Sequence, residues 1–466
     1  MEKVTTVVEK DENQSDGQNG ERPLSNARYI AVRVLSRHER SDAYLDKLLH
    51  HEQNNSDLNS FDKALLKEIV TGVMRWKNKL DWILTGFYRG DYQKCLNIIK
   101  NAMRVALYQI IFLGKIPVPA AIYESVEIVK RIQSEKTAGI VNGVLRNIVR
   151  NMENVRYPDP EEDLVYYYSV VNSHPKWMVK RWLERYGEES TEKLLTANNH
   201  RPNIPLRINT MKATVAEIHS YLENNDFVYY KTPFMNESLR IKITKANIFK
   251  SEIFHDGRIT IQDTSASLAV RLATPQPGMN VVDLCAAPGG KTLYLAEMIR
   301  DEGKVMAVEK YPSKLKLIED SKQRLGLQSI DIIPDDARTL ELDEPADLVF
   351  ADVPCSGLGT LSKKPDIKWK KEPEDIIILQ KAQREIMENA AKLVKPGGTF
   401  VYSTCTIEPE ENQDNVEWFL ENHPEFELDP AEKYLPSDVC KDGYMQTLPH
   451  VHLCDGAFAA RLVKKA

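Results

Sequence analysis

The feature that most constrains this chain is the regular exchange of two hydrophobic periods from about residue 255 onward. Short apolar runs such as "MNVVDL", "KVMAVE", "IDIIPD", "ADLVFAD" and "GTFVYST" alternate with longer stretches. In those stretches, "TLYLAEMIR", "SKLKLIEDSKQRLG" and "IILQKAQREIMENAAKLV" among them, apolar residues recur every three to four positions. Strand, amphipathic helix and strand in succession bury their apolar faces together as a βαβ unit. The pattern therefore predicts a parallel sheet covered by helices on both faces. Ligands of such sheets collect at the carboxyl ends of the strands, so the residues there are the first candidates for chemistry.

The first strand runs into "VVDLCAAPGGKT", Val281 to Thr292. Two glycines let backbone approach a ligand closely, and the helix that follows offers unpaired N–H groups to an anion. A phosphate-binding Walker loop needs glycine five residues before Gly290. That position is Cys285, and the dinucleotide pattern G-x-G-x-x-G is absent as well. What remains suits a compact ligand with a carboxylate end. Glu309 ends the second strand about twenty residues on and can accept two hydrogen bonds from a ribose diol. Asp336 closes the third strand, where it can receive an adenine amino group. Three such elements on successive strands describe an adenosine that bears an amino acid, S-adenosylmethionine.

The fourth strand delivers Asp352 and Cys355, and the fifth, "VYSTCT", delivers Cys405. Two thiols beside a methyl donor suit methylation of cytosine at C5. That carbon is a poor nucleophile until a thiolate adds to C6. A base must then remove the C5 proton so that the thiol can leave. Asp352 can hydrogen-bond N3 or N4 of the base, provided it is protonated when it donates. Cys95, Cys285, Cys440 and Cys454 read as small buried apolar residues. The "HVHLC" cluster lacks the paired short spacings of a structural zinc site, so no metal is expected.

Upstream, "ARYIAVRVLSRH", "DKALLKEIVTGVMRWKNKLDWILTGF" and "CLNIIKNAMRVALYQIIFL" predict an all-α domain from Ser25 to about Asn154. Residues 61–150 hold 15 Lys/Arg against 7 Asp/Glu, net +8, whereas 401–466 hold 5 against 13, net −8. A basic helical half suggests a polyanionic partner. "RYPDPEED" reads as a proline-broken linker, followed by a small α+β segment over about 160–250. The polar, acidic residues 1–23 are expected to be disordered and carry no secretion signal. The apolar run "VALYQIIFLG" is ten residues long, well short of the roughly 18 a membrane helix needs. Six scattered cysteines suggest reduced thiols and a cytoplasmic protein.

"DLCAAPGGKT", "DVPCSGLGT", "KKPDIKW" and "YSTCT" closely resemble the motifs of the RsmB/Sun family of RNA cytosine-5 methyltransferases, over roughly residues 160–466. "DKALLKEIVTGVMRW" and "GIVNGVLRN" resemble the NusB-type RNA-binding domain that precedes the catalytic part in the family's small-subunit rRNA enzyme. The resemblance implies a tail over 1–23 and an all-α NusB-like domain over 24–157. An RRM-like α+β subdomain over 158–252 and a Rossmann-like S-adenosylmethionine-dependent methyltransferase core over 253–466 follow. No aromatic signature of an ordinary RRM is visible in the subdomain.

The resemblance also implies roles. Cys285, Ala286, Ala287, Pro288, Gly289, Gly290 and Lys291 match the loop around the methionine end of the cofactor. Glu309 matches the ribose-binding acid, Asp336 the adenine-binding acid and Asp352 the acid near the methyl group and base. Cys405 matches the nucleophile and Cys355 the cysteine that assists release, although in DNA cytosine-5 methyltransferases the "PC" cysteine attacks. Lys314 can approach the cofactor, but reads first as a surface helix lysine. "DGAFAARLVKK" departs from the usual "DGFF" ending and reads as a closing strand. The implied substrate is 16S rRNA or an early small-subunit assembly intermediate, and a monomer is expected. Methylation of tRNA, or a non-catalytic RNA-binding role in ribosome assembly, are the alternative readings.

Overall fold

The computed structural model describes residues 26–466 apart from Lys245, so the expected tail over 1–23 lies outside the described residues. The first domain is built from α-helices running from Asn26–His38 to Glu135–Arg150. Helix Ser60–Arg75 shows why. Leu66, Ile69, Val70 and Val73 recur at helical spacing and are buried, while the Asn59 side chain accepts from the Phe61 and Asp62 N–H groups. The local net charge overstates what a partner meets, because Arg75, Lys100 and Arg104 are buried. Arg104 donates to both oxygens of Asp81 at 2.6 and 2.7 Å and to Glu39 at 2.7 Å.

Residues 155–163 form neither helix nor strand, as their prolines predict. Helix Leu164–Val171 and helix Lys176–Asn199 follow, the latter broken at Gly187 where φ is 74°. Trp182, Met178 and Leu195 from this pair pack on Leu358, Leu361 and Ile407 of the catalytic domain. The next layer is a small antiparallel sheet in the order Tyr229–Lys231, Ser238–Ile241, Ile204–Ile208, Ile259–Thr260. Its last strand comes from beyond residue 252, so this sheet extends into the segment assigned to the core by sequence.

The large sheet has nine strands: β1 (Asn280–Asp283), β2 (Lys304–Val308), β3 (Ile330–Ile333), β4 (Ala346–Asp352), β5 (Val394–Thr404), β6 (Phe426–Leu428), β7 (Cys440–Lys441), β8 (Tyr444–Thr447) and β9 (Ala457–Lys464). Their order is 3-2-1-4-5-9-8-7, with β6 also paired to β9. Strands β1 to β5 are parallel, and β9 closes the sheet antiparallel to β5. The order reverses between β1 and β4, which opens a crevice outside their carboxyl ends.

The segment Lys363–Trp369 fastens the helical domain to this crevice. Lys368 is fully buried, and its Nζ donates to the Arg75 carbonyl (2.9 Å), the Ser173 carbonyl (2.9 Å) and Asn199 Oδ1 (3.0 Å). Asp366 accepts from the Leu45 N–H at 3.0 Å, and the Trp369 indole donates to the Met74 carbonyl at 2.7 Å. A motif read for chemistry is here also an interdomain joint.

Candidate active site

The loop after β1 is held over its neighbours. Leu284 N–H donates to the Phe350 carbonyl of β4 and Ala286 N–H to the Val308 carbonyl of β2, at 2.8 and 3.0 Å. Gly289 then takes φ of 106°, a region side chains disfavour, and helix Gly290–Met298 begins. The Thr292 hydroxyl donates to Asp283 Oδ2 at 2.6 Å, while Asp283 Oδ1 is buried without a partner. Burial, with Asp352 adding to it against the pull of Thr292, pushes Asp283 up to about 7. Folded protein thus keeps a proton that the unfolded chain releases near pH 4, so stability falls as pH rises from about 4 to about 7. Asp283→Asn is expected to flatten that limb in urea unfolding of the ligand-free protein, with its advantage over the parent growing across this range. An unchanged pH slope would contradict it.

Glu309 follows β2 and is 7% exposed. Its Oε1 accepts from Tyr311 N–H at 2.9 Å, and Lys314 Nζ lies 3.6 Å from Oε2. Lys314 therefore reaches a candidate cofactor acid from its helix and is more than a surface lysine. Asp336 follows β3 and is held by Arg338 Nη2 at 2.7 Å and Lys310 Nζ at 2.8 Å. The hydrogen bonds from Arg338 and Lys310 keep it well below the usual carboxylate range, although burial opposes them. An adenine amino group would share its oxygens with these two cations. Cys285 lies within the loop, and burial pushes its thiol well above the ordinary range, which leaves it unreactive.

The tips of β4 and β5 are neighbours in register, Asp352 opposite Ser403. Cys355 and Cys405 consequently meet, with Sγ atoms 3.1 Å apart, and Cys405 N–H donates to Cys355 Sγ at 3.3 Å. The Cys355 thiol hydrogen-bonded to Cys405 lowers Cys405, as do Lys291 and Lys364, while burial opposes them. The same contact, reinforced by burial, raises Cys355 well above its ordinary value. The contact therefore makes Cys405 the more readily ionised thiol of the pair and Cys355 the less. Beside it, Lys291 Nζ donates to Asp352 Oδ2 at 2.7 Å, and Ser403 donates to Oδ1 at 3.3 Å. Burial works against the Lys291 charge, but Asp352 outweighs it and the ammonium is held above its ordinary range. Asp352 thus accepts from both Lys291 and Ser403 in this arrangement.

Several bracing residues were not singled out from the sequence. Ser356 donates through its N–H (2.8 Å) and its hydroxyl to buried Glu411, and Gln383 donates to Glu411 and to the Pro354 carbonyl, each at 2.9 Å. Gly359 N–H donates to the Cys405 carbonyl at 3.1 Å, and a Cβ at Gly359 would lie 1.8 Å from the Gly456 carbonyl oxygen. Only glycine fits where the "PC" loop crosses the "DG" turn. The acids of "IEPEEN" were the available signal, but nothing in their spacing says which one turns inward. His450 and His452 of "HVHLC" contact Ser190 and the Asp438 carbonyl, and among the described residues no group of three or more His, Cys, Asp or Glu converges to hold a metal.

A 3-2-1-4-5 parallel sheet closed by an antiparallel strand, with a glycine turn after β1 and an acid after β2, is the fold of the S-adenosylmethionine-dependent methyltransferases. The 16S rRNA methyltransferase RsmB/F family matches residues 270–463, the NusB family 25–150, and the RsmF/B-like ferredoxin-like domain 174–246. A probable ribosomal RNA small subunit methyltransferase B of Bacillus subtilis is 38% identical over 95% of this chain and 99% of its own. The ribosomal RNA small subunit methyltransferase B of Klebsiella pneumoniae is 33% identical over 87% and 90%. The chain belongs to this family of small-subunit rRNA methyltransferases. Among solved structures, PH0851 aligns over 95% of this chain and 100% of its own, with TM-score 0.78 and 27% identity. A methyltransferase homolog from Pyrococcus horikoshii aligns over 65% and 99%, with TM-score 0.58 and 27% identity. The expected three-part architecture therefore stands, its middle part ferredoxin-like.

Proposed function

We propose that this protein methylates C5 of a cytosine in 16S rRNA, through a covalent bond between Cys405 and C6 that Cys355 helps to resolve. The observation that carries this reading is the Cys355–Cys405 pair, 3.1 Å apart at the tips of adjacent strands, beside the Lys291–Asp352 pair. S-adenosylmethionine, when bound, supplies an electrophilic methyl group. The residues present suit it: helix N–H groups after Gly289 for its carboxylate, Glu309 for the ribose diol and Asp336 for the adenine amino group.

The chain's own residues then divide the work. The Cys405 thiolate adds to C6, and the C5–C6 π electrons move to C5, where the methyl is accepted. Asp352 accepts from the N4 amino group, and Lys291 can donate toward N3, which draws electrons from C6 and favours addition. Once Cys405 is bonded to carbon its negative charge is gone, and Cys355 loses the partner that held its proton in place. It can then release that proton to solvent, and the thiolate so formed takes the C5 proton, the C5–C6 double bond re-forms, and Cys405 leaves as a thiolate. The base must be unstacked for this, so an accessible loop or early assembly state is the fitting substrate.

Incubating the protein with a methyl donor and either 16S rRNA or bulk tRNA, then mapping 5-methylcytosine by bisulfite sequencing, tests the proposal. A single strong site in 16S rRNA is expected. Modification of tRNA alone would move the substrate, and absence of any 5-methylcytosine would refute the chemistry.

A further inference from the structure

We propose that Lys364 binds the backbone phosphate next to the attacked cytidine. The inference rests on the cytosine reading above and adds a residue to it. The segment "SKKPDIKW" carries three lysines, and two are spent within the fold. Lys363 donates to Asp263 and Asp455, and Lys368 is sealed among three oxygen acceptors. Lys364 alone is exposed, and its side chain makes no hydrogen bond or ion pair with a described residue. The turn before it is fixed to the Cys405 strand, Gly359 N–H donating to the Cys405 carbonyl at 3.1 Å, and two residues after it Asp366 accepts from Leu45 N–H of the helical domain at 3.0 Å. Lys364 therefore stands between the catalytic loop and the helical domain, and its charge bears on Cys405.

Its backbone is held in place. Lys364 N–H donates to the Thr360 carbonyl at 2.9 Å, Pro365 follows, and Lys368 anchors the next turn. Lys291, whose charge also bears on Cys405, is taken by Asp352. A cytidine drawn out of its stack brings its phosphate with it, and that charge needs a partner at the rim of the pocket. A long side chain with no partner among the described residues, on a backbone hydrogen-bonded to Thr360, provides one.

The test compares full-length Lys364→Gln, Lys364→Arg and, as a control for losing one surface charge, Lys316→Gln on helix Pro312–Leu325. Binding to a 16S rRNA transcript is measured across a salt series, alongside methyl transfer by the parent. Lys364→Gln is expected to bind roughly five- to tenfold more weakly at low salt, with a log–log salt slope smaller by about one. Lys364→Arg should restore the slope, and Lys316→Gln should not alter it. If the parent places no methyl on rRNA C5, the functional reading fails and this assignment with it. If the parent does so and Lys364→Gln keeps the parent slope, or Lys316→Gln loses as much, the assignment alone is overturned.

Discussion

Replacing Cys405 with alanine is expected to abolish both methyl transfer and the covalent enzyme–RNA adduct, whereas replacing Cys355 should preserve the adduct and stop turnover. Loss of the nucleophile should cost on the order of 10⁴-fold or more in rate. Loss of the group that takes the C5 proton should cost roughly 10²- to 10⁴-fold. The asymmetry follows from the proposed roles: the hydrogen bond between the two thiols lowers Cys405 and raises Cys355, which suits Cys405 to attack and Cys355 to act later on the C5 proton. Cys355→Ala removes that hydrogen bond as well, which raises Cys405. Adduct formation in this variant should therefore need a higher pH than in the parent, read as an upward shift of the pH profile on denaturing gels. Adduct formation by Cys405→Ala would reverse the assignment. An unshifted profile in Cys355→Ala would show that the thiol contact does not set the nucleophile's proton.

Much of this site was legible in the sequence because parallel sheets place residues by rule. Each strand ends at one edge, so the residues after β1, β2, β3, β4 and β5 must be neighbours once the alternating pattern is recognised. That is why Gly289, Glu309, Asp336, Asp352, Cys355 and Cys405 could be named before any coordinates. The illegible part is set by contacts between distant segments. Glu411 and Gln383 brace the "PC" turn from a loop and a helix whose own periodicity carries no trace of it. Asp352 is held by Lys291, 61 residues earlier in the chain. Local propensity alone would not place "LVYYYSVV": its β-branched and aromatic residues favour a strand, yet Asp163 caps it as a helix through the Tyr166 N–H and it packs on the following helix. Strand Ile259–Thr260 is two residues long, too short for any period, and exists because Ile204–Ile208 offers it an edge.

The second large effect concerns Lys368. An ammonium has three N–H donors, and here each has its own acceptor: Arg75 of the helical domain, Ser173 of the connecting segment, and Asn199 at the end of the long helix. Ser173 itself sits in the left-handed region, with φ of 55°. Substitution by methionine fills most of the volume but leaves three buried oxygens without a donor. Each such orphan costs about 1–3 kcal/mol. Lys368→Met is therefore expected to be destabilised by about 3–5 kcal/mol, read as a lower urea midpoint and faster proteolysis within residues 155–163. The loss should reach catalysis too, since the loop that carries Cys355 continues without a break into this joint. Turnover on rRNA should fall even at temperatures where the variant remains folded. A variant as stable as the parent would mean that the three contacts contribute no net stability. A stable variant with normal turnover would mean that the helical domain need not be held against the active-site loop for the reaction to proceed.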